Sequence, residues 1–119
     1  MEKQEVLAGL LQELRRGIIV LCVLGRLDTP KYGYSLVTEL DEAGVSVEAN
    51  TLYPLLRRLE GQGLLQSTWE TGGAKPRKYY TTTAMGREVY EALKMQWTTT
   101  QHSVSALLEG TEGEGPGDE

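Results

Sequence analysis

Between Glu5 and Leu27 the residues Leu7, Leu10, Leu11, Leu14, Ile18, Leu21 and Leu24 recur at spacings of three and four, the period of an amphipathic helix. Ile19, Val20, Cys22 and Val23 widen that stripe until the second half is apolar nearly all round, which predicts enclosure by the fold and by a partner subunit. Asp28-Thr29-Pro30 closes this helix, and Pro30 suits the first turn of a second, Lys31 to Glu42, which buries Leu36, Val37 and Leu40 and ends at Gly44 in a left-handed cap. Beyond the link Val45-Ser46-Val47, a third helix has Leu52, Leu55, Leu56 and Leu59 on one face and Asn50, Tyr53, Pro54, Arg57 and Gly61 opposite. Proline costs little only near a helix start, so Asn50 or Thr51 is the expected cap and Gly61-Gln62-Gly63 the expected end. Leu64 to Thr71 then alternates as a strand, Gly72 to Pro76 turns, and Arg77 to Thr83 is a second strand rich in aromatic and β-branched residues. A last helix, Ala84 to Glu109, sets Tyr90, Leu93, Trp97, Thr100, Val104 and Leu107 near a heptad seam, across the poorly helical run Thr98-Thr99-Thr100.

Two short helices joined by a glycine-containing turn, followed by a hairpin, make a winged helix-turn-helix. The predicted fold class is therefore mostly α with a small β-hairpin (α+β), a winged helix-turn-helix with a long C-terminal dimerisation helix. Residues 1–83 are expected to form the winged domain, its N-terminal helix contributing to a dimer. Residues 84–109 form the dimerisation helix, and 110–119 a disordered acidic tail. The polar face of the third helix offers an amide, a phenol and guanidinium groups, which hydrogen-bond base edges and phosphates in a major groove. A leucine-striped helix with Arg57 and Arg58 also suits a solvated surface, and a winged helix also serves as a protein-interaction module; the flanking segments favour DNA. Lys75, Arg77 and Lys78 on the hairpin are placed to hold a phosphate backbone or enter a minor groove. Of Tyr79 and Tyr80, successive on a strand, one must face inward.

Composition changes this picture in one respect. Seventeen acidic and twelve basic residues among 119 give a formal charge of −5, unusual for a DNA-binding chain. Glu109, Glu112, Glu114, Asp118 and Glu119 lie in the last stretch, however, so the rest is balanced, with bases clustered at Arg15-Arg16, Arg57-Arg58 and Lys75 to Lys78. Screening over ~8–10 Å lets such local patches attract phosphate in spite of the total. The single Cys22 excludes an internal disulfide framework and reads as a small core residue. The longest apolar run, Gly17 to Gly25, is too short to span a bilayer, so a soluble cytoplasmic protein is expected. His102 is the lone histidine, and no paired-carboxylate, metal-ligand or glycine-rich phosphate motif occurs, so neither an enzyme nor a cofactor or metal is expected.

Tyr32-Gly33-Tyr34-Ser35-Leu36, Thr51-Leu52-Tyr53-Pro54-Leu55-Leu56-Arg57-Arg58-Leu59-Glu60, Gly63-Leu64 and Arg77-Lys78-Tyr79-Tyr80 follow one another as do the motifs of the PadR family of bacterial transcriptional regulators, which the chain resembles from Leu14 to Trp97. It departs where Glu48 and Ala49 replace the family's Ser or Asn and Glu, so the helix cap is not carried over. The resemblance implies a homodimeric repressor of a pseudo-palindromic operator in double-stranded DNA. In it Asn50, Thr51, Tyr53, Arg57 and Arg58 would meet bases or adjacent phosphates, Lys31 and Tyr32 the backbone, and Lys75, Arg77 and Lys78 the flank. Trp97 matches in position a tryptophan of the multidrug-binding members, where two such rings sandwich a flat aromatic compound across the dimer. Carried over, a small aromatic effector would sit among Ile18, Cys22, Tyr90, Leu93, Lys94, Trp97 and Gln101. Lys94 stands where those members carry an aromatic residue, which disfavours cationic ligands.

Overall fold

The computed structural model describes residues 1–114, and side chains as far as residue 110. Its elements run α1 (Lys3–Arg26), β1 (Lys31–Tyr32), α2 (Gly33–Glu42), α3 (Ala49–Gly61), β2 (Leu65–Glu70), β3 (Arg77–Thr82) and α4 (Ala84–Glu114). Each periodic stretch becomes the element its period predicts, and the α+β winged-helix class holds.

The differences lie at the ends. Lys31 and Tyr32 do not open α2; they form β1, pairing antiparallel with Tyr80 and Tyr79 of β3 in a three-stranded sheet of order β1-β3-β2. A lone hairpin is marginal in water, and a third strand of even two residues adds ladder bonds that the α-helical alternative cannot. The third helix begins one residue before the expected cap. Glu48 is its N-cap, without a side-chain capping bond, and the Glu48 carbonyl accepts from Thr51 N and Leu52 N, each at 2.9 Å. Pro54 is thus the sixth helical residue and leaves the Asn50 carbonyl without its usual i+4 donor. Gly44 and Gly63 have φ of +92° and +82°, and behind each the chain folds back through Val45 N to Leu40 O at 2.8 Å and Leu64 N to Leu59 O at 3.0 Å. α4 continues to Glu114, past the expected end at Glu109, and the Thr98 hydroxyl is absorbed by bonding back to the Lys94 carbonyl at 3.2 Å. The first residues of the expected tail are therefore helical; 115–119 lie outside the described residues.

Ile19, Val23, Leu24, Leu27, Leu36, Leu40, Val47, Leu52, Leu56, Leu59, Leu65 and Tyr80 form the core. It unites the C-terminal half of α1 with the inner faces of α2 and α3 and one face of the sheet. Threonines at the end of β3 fix the sheet to α1: Thr82 Oγ1 donates to Leu24 O at 2.8 Å, and Thr81 Oγ1 and Thr82 N donate to Leu27 O at 3.1 and 2.7 Å. Thr83 then accepts from Gly86 N at 3.0 Å, capping the start of α4. The N-terminal half of α1 and the whole of α4 from Glu91 lie outside this core, exposed along their length.

Candidate nucleic-acid interface

α3 lies on the core by Leu52, Leu56 and Leu59, so a third of a turn away Tyr53 and Arg57 face outward. They meet there the start of α2 and the hairpin. Tyr32 to Ser35, Tyr53, Arg57, Trp69, Lys75, Arg77, Lys78 and Tyr80 line one concavity of ≈ 980 Å³. Gly33 is buried at its floor because the Tyr53 ring covers it; a Cβ there would lie 2.5 Å from Tyr53 Cε1. That close approach ties the entry of α2 to the outer face of α3.

The cations in this surface are held by neighbours. The Tyr32 and Tyr79 rings stack with centroids 4.2 Å apart, and the Arg77 guanidinium lies 4.9 Å over Tyr32. Tyr79 donates to the Tyr32 hydroxyl at 2.8 Å, and Tyr32 donates to Glu70 Oε1 at 2.5 Å. Those bonds, Glu70 first, stabilise the neutral phenol and push the Tyr32 pKa up to about 12. Lys78 is drawn towards α3: its ammonium lies 3.7 Å from Glu60, which also accepts from Ser67 at 2.5 Å, and stands over the rings of Trp69 and Tyr80. Arg57, Lys75 and Arg77 are exposed and, among the described residues, in no recorded ion pair. A concave, cation-edged surface beside an outward helix face is the form that accepts a phosphate backbone with base edges behind it.

A family model described as the transcriptional regulator PadR-like family matches residues 20–92. The chain belongs to this PadR-like family. Over 78 residues it is 36% identical to the transcriptional regulator Rv3488 of Mycobacterium tuberculosis, covering 65% of this chain and 73% of that one. It is also similar to the crystal structure of a PadR family transcriptional regulator from Eggerthella lenta, with a TM-score of 0.82 and 50% identity over 89% of this chain and 95% of that one. A PadR-like regulator from Bacillus cereus gives 0.72 and 31% over 82% and 97%. Membership makes the chain a transcriptional regulator, implying DNA-binding regulation, and not an enzyme. Among the described residues no helix is long and apolar enough to cross a membrane.

Of the residues expected to meet DNA in a PadR regulator, Tyr32, Tyr53, Arg57, Lys75, Arg77 and Lys78 come together in the concavity. Asn50 is exposed on the first turn of α3. Thr51 and Arg58 sit instead on the side of α3 that faces α1. Lys31 does not line the concavity; its ammonium is held by Thr29 Oγ1 at 2.9 Å and lies 4.0 Å from Glu39. Glu70, Glu60 and Trp69 were not expected. Glu70 and Trp69 lie on a strand whose alternation would have placed them on one face or the other, but only the pairing with β3 sets Glu70 within reach of Tyr32.

The residues expected around an effector occupy α1 and α4, which pack on each other. Tyr90 is half-buried against Gly25, where a Cβ would lie 2.6 Å from its ring, and the Lys94 ammonium stands 5.7 Å over that ring. Ile18 and Cys22 are half-buried, and burial pushes the Cys22 thiol pKa up, which suits an inert packing residue. Leu93, Trp97 and Gln101 are exposed on α4.

Proposed function

We propose that the chain is a homodimeric repressor whose two α3 helices enter successive major grooves of a pseudo-palindromic operator, with half-sites about one helical turn (~34–36 Å) or a multiple apart. The observation that carries this reading is the concavity joining Tyr53 and Arg57 of α3 to Lys75 and Arg77 of the hairpin and Tyr32 at the start of α2. In this reading Asn50, Tyr53 and Arg57 read bases, with Thr51 at the groove edge, while Lys75 and Arg77 hold the flanking backbone, and the protein acts in the cytoplasm.

Support for the dimer comes from apolar side chains standing in water: Leu10, Leu14 and Leu7 on α1, and Val104, Leu107 and Leu108 on α4, the leucines of the pair Leu14 and Leu108 being 69% and 71% exposed. A second copy whose α4 lies along α1 would cover both sets. Across such a seam two Trp97 rings would form a slot for a flat aromatic effector, released operator being its outcome; support for that part is the exposure of Trp97 and Leu93, 39% and 38%.

The test is a fluorescence-anisotropy titration of the purified protein against DNA from upstream of its own gene, at two salt concentrations, with unrelated DNA as competitor. Saturable binding that survives competitor and weakens with salt is expected. Binding that competitor abolishes would sink the operator reading and turn attention to a protein-interaction module.

A further inference from the structure

A second concavity, ≈ 620 Å³, opens between the N-terminal half of α1 and the start of α3, a volume within the range of small-molecule sites. Leu11, Ile19, Val47 and Leu55 give it apolar walls, and Arg15, Arg16 and Arg58 bring three guanidiniums to it. Among the described residues none of these arginines has a recorded ion-pair partner. Glu48 also lines the groove and sets its polar limit at the α3 cap.

Helical geometry keeps this groove apart from both surfaces already described. On α1 its lining, Leu11, Arg15 and Ile19 with their neighbours, is centred about 120° round the helix from the seam of Leu7, Leu10, Leu14, Ile18 and Leu21, at 100° per residue. On α3, Thr51, Leu55 and Arg58 stand at a similar angle from Tyr53 and Arg57. A dimer closed along the α1 and α4 seam leaves the groove open. Its floor is the rear of the first turns of the reading helix, so whatever enters it sits between that helix and α1. A phosphodiester backbone would use the arginines but not the apolar walls; a molecule with both an anionic group and an apolar body uses the whole surface.

We propose that this groove binds a small organic anion, a carboxylate or sulfonate on an apolar body, with the charged group on Arg15, Arg16 and Arg58 and the body against Leu11, Ile19, Val47 and Leu55. Occupancy wedges α3 from α1 and lowers operator affinity; this second part rests on the operator-binding reading, the first does not. By linkage, operator DNA lowers affinity for the anion by the same factor.

The test uses the full-length protein and two probes, anilinonaphthalene sulfonate and the uncharged N-phenylnaphthylamine. The sulfonate should bind saturably without DNA, and the double variant Arg15→Gln, Arg58→Gln should weaken it about tenfold or more, the scale of one charge-assisted hydrogen bond. The naphthylamine should bind parent and variant alike, and Trp97→Ala should leave sulfonate affinity unchanged. Both arginines are exposed, so thermal unfolding of the variant should match the parent. Unchanged sulfonate affinity in the double variant, or its loss in Trp97→Ala, would place the dye on the dimer seam and overturn the proposal. Unchanged sulfonate affinity with a reduced salt slope for DNA would make the arginines phosphate contacts, and overturn it equally. These titrations contain no DNA, so failure of operator binding is read separately, in the anisotropy assay.

Discussion

At Gly33 a single hydrogen is all that fits beneath the Tyr53 ring, since a Cβ would come within 2.5 Å of Cε1. Gly33→Ala must push that ring outward, into the surface offered to DNA. Overpacking of this kind costs about 1–3 kcal/mol, and operator affinity measured by anisotropy should fall with it while α-helical circular dichroism is retained. Gly86 is more tightly held, because there the clash is with backbone: a Cβ would lie 2.1 Å from the Leu64 carbonyl oxygen. Gly86→Ala should lower the thermal midpoint more than Gly33→Ala does; an equal or smaller effect would mean that α4 can slide on the hairpin. Tyr32 offers a pH signature. Its folded pKa, about 12, lies above the ordinary 10.0, so the protonated phenol stabilises the fold. That contribution is complete below the unfolded value and is lost as pH rises through the folded one. In a tyrosinate absorbance titration, Tyr32→Phe should remove the component titrating highest, and Glu70→Gln should move it down, the Glu70 bond being its largest cause.

At the scale of elements, α3 and the hairpin divide the work of binding. Arg57 stands on the reading helix, so Arg57→Gln should cost about 1–3 kcal/mol and relax preference at one base position. Lys75 and Arg77 stand on the hairpin, and neutralising either should weaken binding to all sequences and lower the salt slope by about one. Lys78 is already paired with Glu60 at 3.7 Å, so Lys78→Gln should change the slope less than Arg77→Gln. A slope that drops more for Lys78 would mean that the Glu60 contact opens when DNA binds. The three-stranded sheet holds the hairpin at this angle, because Lys31 and Tyr32 pair with the same strand that carries Arg77 and Lys78.

The whole molecule is long for its size, 68 × 38 × 24 Å, with α1 and α4 reaching beyond the winged body. Apolar residues on those extensions have no core of their own, and a second copy is the occupant that matches both. Leu14 is 69% exposed in the single chain, so Leu14→Glu should leave the fold intact while sedimentation reports a monomer, with operator affinity falling because one reading head replaces two. A monomer that kept full affinity would remove the dimer from the mechanism.

Period and turn chemistry determined much of this protein before any coordinates: the leucine stripe of α3, the glycines that end α2 and α3, the alternating strands and the order of motifs that mark a PadR regulator are local, and local geometry fixes them. Tyr53 and Arg57 were legible as an outward face because Leu52, Leu56 and Leu59 could only face in. What tertiary structure decided depended on partners distant in sequence. Lys31 and Tyr32 became a strand because Tyr79 and Tyr80 were there to pair with them. Glu70 reached Tyr32 through a strand register, and Lys78 turned to Glu60 across the hairpin. Arg57 and Arg58, adjacent in sequence, were parted by the 100° step of the helix. Only the placement of α1 decided that one would look to the candidate DNA surface and the other into a separate groove.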